Sequence, residues 1–128
     1  MIKLIKKIFK KSSPENNFHS IVVPETGELD WMKLSYMYLL PESFIRRYAD
    51  KLDWYWISTC QTLSEDFIKE YEDRVCWGAI LINQTLSEDF IKEYIGKIKQ
   101  FDVPWLVTHQ NLSDEFIAEL KLRGYLLF

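Results

Sequence analysis

Two thiols and an imidazole are the side chains in this sequence best suited to nucleophilic or acid–base chemistry: Cys60, Cys76 and His109. A thiolate nucleophile needs a base within hydrogen-bond reach, and a general base must stand beside the proton it takes. Nothing in the spacing of these three brings them together, and His109 has no Ser or Cys at a suggestive interval. Two Cys and two His at scattered positions, without a C-x-x-C pair, also lack the spacing of a zinc site. The expectation is a non-enzymatic protein with no catalytic residue, no metal and no cofactor. The densest polar cluster is acidic, Glu65, Asp66, Glu70, Glu72 and Asp73. It reads either as helix-start acids on a solvated face or as an imitation of nucleic-acid phosphates.

The elements that carry these residues are repeated. LSEDFIKEY occurs at 63–71 and again at 86–94, 23 positions on. Aligning each Leu-Ser/Pro-x-x-Phe-Ile gives copies from Leu40, Leu63 and Leu86 and a partial copy over 112–128, preceded by a half repeat over 29–39. Trp31, Trp54 and Trp77 keep the same interval, while the third copy is expanded by three residues within IGKIKQFDVPW. In the first half of a copy, Leu63, Phe67, Ile68 and Tyr71 share one side of a helix. Ser64 caps it with Glu65 and Asp66 in the first turn, or Thr62 caps it and Glu65 closes a capping box; Pro41 suits a first turn under either register. In the second half, Trp54, Ile57 and Gln61 recur at helical spacing and Asp53 and Asp30 are natural caps. The β-branched and aromatic residues of WGAILIN and WLVTHQ would instead suit a strand. The expected fold class is therefore all-α, a short solenoid of 23-residue two-helix repeats over 29–128 with a small N-terminal extension over 1–28. The alternative is an α/β solenoid of the leucine-rich kind. One helical pair of this length cannot cover its own apolar stripe, so each copy must be sheltered by its neighbours.

The string WYWISTCQTLSEDFI, written as W-x-x-I-S-x-x-Q-x-L-S-E-D-F-I, resembles a tandem repeat of bacteriophage and large DNA virus proteins. The likeness covers about residues 29–128. It departs at Cys76, where an Asp or Asn is usual, and at the three-residue expansion with Pro104. The resemblance implies a small phage or viral protein and carries no catalytic residues.

Function is expected where copies differ. Tyr55 and Trp56 become Gly78 and Ala79 one copy on, Arg46 and Arg47 replace Lys69 and Glu70, and the expansion carries Phe101, Trp105 and His109. Trp56 either fills a gap near the N-terminal segment or anchors a partner; the arginines are either solvated or meet an acidic partner; the expansion either lines the binding face or re-aims the last helical pair. Tyr55, Trp56, Arg46, Arg47, Phe101, Trp105 and His109 are the partner-binding candidates. Given the likeness, the expected activity is binding of a host protein, for instance inhibition of a host antiviral defence complex.

Charge narrows the partners. The first eleven residues hold Lys3, Lys6, Lys7, Lys10 and Lys11 and no acid, leaving eleven basic residues against nineteen acidic ones elsewhere. An acidic body is a poor binder of nucleic acid. The basic tip, with Ile2, Leu4, Ile5, Ile8 and Phe9 between its lysines, is compatible with an amphipathic helix on an anionic membrane, so a membrane-surface adaptor is the alternative function. The lysines interrupt every apolar stretch, so no secretory signal is expected, and with no disulfide pattern the cytoplasm is the expected compartment. The apolar end Tyr125, Leu126, Leu127 and Phe128 leaves a homo-oligomer open.

Overall fold

The structure, a computed structural model, describes residues 26–126. Eight short α-helices follow one another among them: α1 Trp31–Met37, α2 Glu42–Arg47, α3 Trp54–Cys60, α4 Glu65–Glu70, α5 Trp77–Asn83, α6 Glu88–Tyr94, α7 Val103–His109 and α8 Asp114–Leu122. The described residues contain no strand, which overturns the α/β alternative; WGAILIN forms α5, and WLVTHQ lies in α7 up to His109, with Gln110 as the C-cap. Their β-branched residues are outweighed by a core in which Ile80, Leu81, Val103 and Leu106 all face inward at helical spacing. The lead-in strand expected over IVV and the basic segment over 1–11 lie outside the described residues.

Helices of six or seven residues are too short to persist alone, so tertiary packing must hold them. The first helices pack in sequence order, α1 on α3, α3 on α5 and α5 on α7, and form one row of a short helical solenoid. Equivalent side chains occupy equivalent places. Leu40, Leu63 and Leu86 are buried, as are Phe44, Phe67, Phe90 and Phe116 and Ile45, Ile68 and Ile91. The tryptophans form a regular row, each ring lying on the tyrosine that ends the next helix: Trp31 on Tyr48 at 5.3 Å, Trp54 on Tyr71 at 4.9 Å and Trp77 on Tyr94 at 5.3 Å. Trp54 and Trp77 also donate Nε1–H to the Ala49 and Glu72 carbonyls.

Polar ladders fix the register between copies. The side-chain amide of Gln61 accepts from Leu40 N and donates to the Ser35 and Tyr38 carbonyls of the preceding copy. Gln84 does the same to Leu63 N, Ser58 O and Gln61 O, and Gln110 to Leu86 N, Leu81 O and Gln84 O. Each glutamine is buried and satisfies helix-end groups that would otherwise have no partner. A second ladder runs forward: Glu42, Glu65 and Glu88 accept from the backbone amides of Ser64, Ser87 and Ser113. In a third, the cations Arg46, Lys69 and Lys92 lie over Phe67, Phe90 and Phe116 of the next copy at 5.1, 5.8 and 5.1 Å.

The caps follow from the same residues. Ser64, Ser87 and Ser113 accept from Phe67 N, Phe90 N and Phe116 N, which settles the register against Thr62 and leaves Glu65 free to reach the next copy. Pro41 is itself the N-cap of α2 and not a first-turn residue. Having no N–H, it needs no glutamate from a preceding copy, and Tyr38 stands at the glutamine position of α1. At the other end Asp114 and Ala118 replace the forward-reaching glutamate and lysine. Gly124, at φ +79, closes α8 with Tyr125 N bonded to Leu120 O.

The three extra residues fall between buried Ile98, the counterpart of Leu52 and Val75, and Asp102. They form a 3₁₀ turn over Gln100–Asp102, after which Val103 takes the place of the row tryptophan. Trp105 consequently sits two residues into α7 and faces outward.

Candidate functional face

The two helix rows present opposite chemistries. On the second helices, the outward positions include Glu42, Arg46 and Arg47 of α2, Glu65, Asp66, Lys69 and Glu70 of α4, and the corresponding Glu88, Asp89, Lys92 and Glu93 of α6. On the first helices, the four outward positions of α1, α3, α5 and α7 read Met32-Lys33-Tyr36-Met37, Tyr55-Trp56-Thr59-Cys60, Gly78-Ala79-Ile82-Asn83 and Pro104-Trp105-Thr108-His109. Lys33 is the single Lys, Arg, Asp or Glu among them. A face so poor in charge exposes large apolar groups: Tyr55 is 55% exposed, Trp105 51% and Phe101, on the extra turn, 90%. Exposed apolar surface gathered on one side marks an interaction surface.

The charged row is internally matched. Arg46 donates to Glu70 at 2.8 Å, approaches Glu42 at 3.7 Å and covers the Phe67 ring, while Arg47 lies over Tyr48. Bonding to Glu70 raises the already high pKa of Arg46, and bonding to Glu93 does the same for Lys69. Lys97 binds Glu72 at 3.0 Å and Asp73 at 3.8 Å, and holds Glu72 below the ordinary carboxylate range. Glu88 is held lower by Ser113, first through its backbone N–H and then its hydroxyl, with Lys92 adding to the effect. Of the acidic cluster, Glu65, Glu70, Glu72 and Asp73 all have partners inside the stack. These contacts give the charges a structural task.

The candidates singled out by copy-to-copy differences therefore divide. Tyr55, Trp56, Trp105 and His109 belong to the charge-poor side and Phe101 to the extra turn before α7; Arg46 and Arg47 belong to the opposite row. Trp56 packs on Tyr36 at 5.2 Å and edge-on against Tyr55 at 5.1 Å, and His109 Nδ1 lies 3.0 Å from Trp105 O with the two rings at 5.8 Å. Met32, Tyr36, Met37 and Ile82 are the further exposed apolar residues of the first helices, with Leu39 and Leu122 exposed outside them; an exposed Met or Ile in a helix looks like any core residue until its face is known. Lys3, Lys6, Lys7, Lys10 and Lys11, the candidates for a membrane contact, lie outside the described residues.

Cys60 and His109 hold the same position in α3 and α7, two helix spacings apart, roughly 16–20 Å. Cys76 is at the other end of α5, as its N-cap. Both cysteines are free thiols. The stack does not bring the three groups to one point. Among the described residues no three His, Cys, Asp or Glu are placed to hold a metal ion, and no helix is long and apolar enough to cross a membrane. Comparison with protein families, curated proteins and solved structures finds no match to this chain.

Proposed function

We propose that the chain is a non-enzymatic binding protein that recognises a partner protein through the outward side of its first-helix row. The observation that carries this reading is the contrast between the rows: charged side chains on the second helices are bonded between copies, whereas the first helices expose aromatic and sulfur-containing side chains with almost no charge. Met32, Tyr36, Met37, Tyr55, Ile82, Phe101 and Trp105 together offer roughly 700–900 Å² of accessible surface, about one side of an ordinary protein interface. Tyr and Trp are the residues most often found as interface anchors.

The likeness of WYWISTCQTLSEDFI to phage and viral repeats supports a concrete form of this activity, an inhibitor that occupies a surface of a host antiviral defence complex. This step rests on association, not on site chemistry. The test is capture from host-cell lysate on the immobilised full chain, with protein cross-linking. Wild type is expected to retain a stoichiometric protein, Tyr55→Ser/Trp105→Ser to lose it and Arg47→Glu, on the other row, to keep it. Absence of any stoichiometric protein at low salt, or capture indifferent to the Tyr55 and Trp105 changes, refutes the reading.

A further inference from the structure

The last copy departs from the inner ones on the side that would meet a following copy. In the second copy that side holds out Glu65, Lys69 and Asp73, which bond to Ser87 N, Glu93 and Lys97 of the third. At the same three places α8 carries Asp114, Ala118 and Leu122. A lysine and an aspartate have given way to alanine and leucine, and Leu122 is 89% exposed.

The core is open beside them. Ile117 is half-buried where Ile45, Ile68 and Ile91 are buried, and Leu112 where Leu63 and Leu86 are. Val107 is half-buried too, at the place where Ser58 and Leu81 are enclosed. The Leu112 amide has no hydrogen-bond partner among the described residues, whereas the Leu40, Leu63 and Leu86 amides each donate to a glutamine. A terminal repeat that meets water carries a polar outer side. This end is less polar than the copies inside the stack, as befits a surface that is covered.

The charges of α8 show what covers it. Its amino end keeps the acids Asp114 and Glu115, but Lys121 stands where the second copy has Glu72, so the helix is acidic at one end and basic at the other. That distribution suits an antiparallel copy of itself. Head-to-tail stacking has no matching surface to use: Leu40, Phe44 and Ile45 of the first copy are as buried as their inner counterparts, Pro41 offers no N–H, and Tyr38 brings no amide to a rung.

We infer that this end face is a homodimer interface, in which α8 packs antiparallel on α8 of a second copy about a two-fold axis at Ala118. The small side chain lets the two axes approach to about 8 Å. Asp114 and Lys121 stand four before and three after Ala118, so both share its face, and each Asp114 meets the partner's Lys121. Leu122 lies beside this contact and is covered by it. A two-fold interface must be self-complementary, and here one helix supplies both halves. Two nine-residue helices, with the strip of Val107, Leu112 and Ile117, bury less than the roughly 1,200 Å² of a stable complex, so the dimer is weak and exchanges with monomer. The interface lies at the end of the stack and does not depend on the partner reading above.

The test is sedimentation of the full chain from about 10 µM to about 1 mM. Wild type is expected to pass from monomer to dimer and no further. Ala118→Lys/Leu122→Asp restores the residues of the second copy, so it should keep the helical signal and stay monomeric throughout. Asp114→Lys and Lys121→Glu each set like charges against one another at two symmetry-related places and should weaken dimerisation about tenfold. Mixed in equal amounts, these two chains regain both pairs and should dimerise as wild type does. A wild type that is monomeric at about 1 mM, a dimer indifferent to Ala118→Lys/Leu122→Asp, or a mixture no tighter than its components overturns the inference. So do three other coverings: species that grow beyond the dimer with concentration (head-to-tail stacking), a monomeric chain that dimerises only when Ile5→Asp is introduced (the amino-terminal segment), or a monomeric chain that floats with anionic vesicles unless Leu122→Asp is present (lipid).

Discussion

Replacing Gln84 with alanine should remove the central rung of the stack. The side-chain amide makes three bonds, one from Leu63 N at the start of its own copy at 3.0 Å and two into the preceding copy, to Ser58 O at 3.0 Å and Gln61 O at 2.6 Å, and the residue is 6% exposed. At about 1 kcal/mol net per bond, with a further penalty for buried backbone groups left unpaired, the loss is about 3–5 kcal/mol. A domain of this size has a total stability on the order of 5–15 kcal/mol, so the effect is severe but measurable. With a urea slope of about 2 kcal/mol/M, the midpoint of tryptophan fluorescence should fall by about 2 M. Gln84→Glu makes a sharper control. One oxygen of the new carboxylate can still accept from Leu63 N, but the other faces two carbonyl oxygens, so the ionised side chain is destabilised in the folded state and its pKa there is raised. The sign follows: the variant approaches wild type below the unfolded carboxylate pKa, about 4.3, and falls away as pH rises through the raised folded value. An alanine variant that costs less than about 1 kcal/mol, or a glutamate variant whose deficit does not grow with pH, would refute the clamp.

Cys76 caps α5 without a side-chain bond, where Asp30 and Asp53 accept from Lys33 N and Trp56 N at 3.1 Å. Cys76→Asp should therefore stabilise the chain by about 1 kcal/mol, read as a higher urea midpoint. Glu88, its pKa lowered by Ser113 and Lys92, contributes stability above the unfolded carboxylate pKa that disappears as pH falls through the lowered folded value. Glu88→Gln should thus be less stable than wild type at neutral pH and show a flatter acid titration. Trp54→Phe keeps an aromatic ring against Tyr71 but loses the Nε1 bond to Ala49 O at 2.9 Å, for an expected loss of about 1 kcal/mol in thermal or urea unfolding.

Much of the architecture was legible because a repeat's partners are its own copies. The interval between Trp31, Trp54 and Trp77 foretold a row of rings, and the caps at Asp30 and Asp53 pointed to helices where β-branched residues argued for strands. The glutamine ladder was hidden. Gln61 sits at helical spacing from Trp54 and reads as one more inward position, since its partners are backbone atoms more than twenty residues earlier, which carry no letter of their own. Glu65 misled in the same way: placed in a first turn it looks like a dipole acid, yet its side chain serves the next copy's Ser87 amide. On the candidate face, the exchange of Tyr55-Trp56 for Gly78-Ala79 was visible as a difference. That the exchange falls on the middle helix of one row required knowing that α3, α5 and α7 are neighbours.

The near-identity of the second-helix segments and the divergence of the first helices have one physical cause. In LSEDFIKEY from Leu63, the leucine amide is held by Gln84, Glu65 by Ser87, Lys69 by Glu93 and the Phe90 ring, Glu70 by Arg46, and Tyr71 by Trp54. A change at Glu65, Lys69, Glu70 or Tyr71 disturbs a contact with an adjoining copy, so it is tolerated only when its partner is kept, as Arg46 keeps the ring and carboxylate contacts that Lys69 makes one copy on. Outward positions of the first helices carry far fewer obligations, the Tyr36–Trp56 contact being the chief one between copies. They can vary one at a time without disturbing the stack. A surface shaped for recognition needs that freedom, and in this chain it is concentrated on the row whose charge has been removed and whose middle helix has been stripped to Gly78 and Ala79.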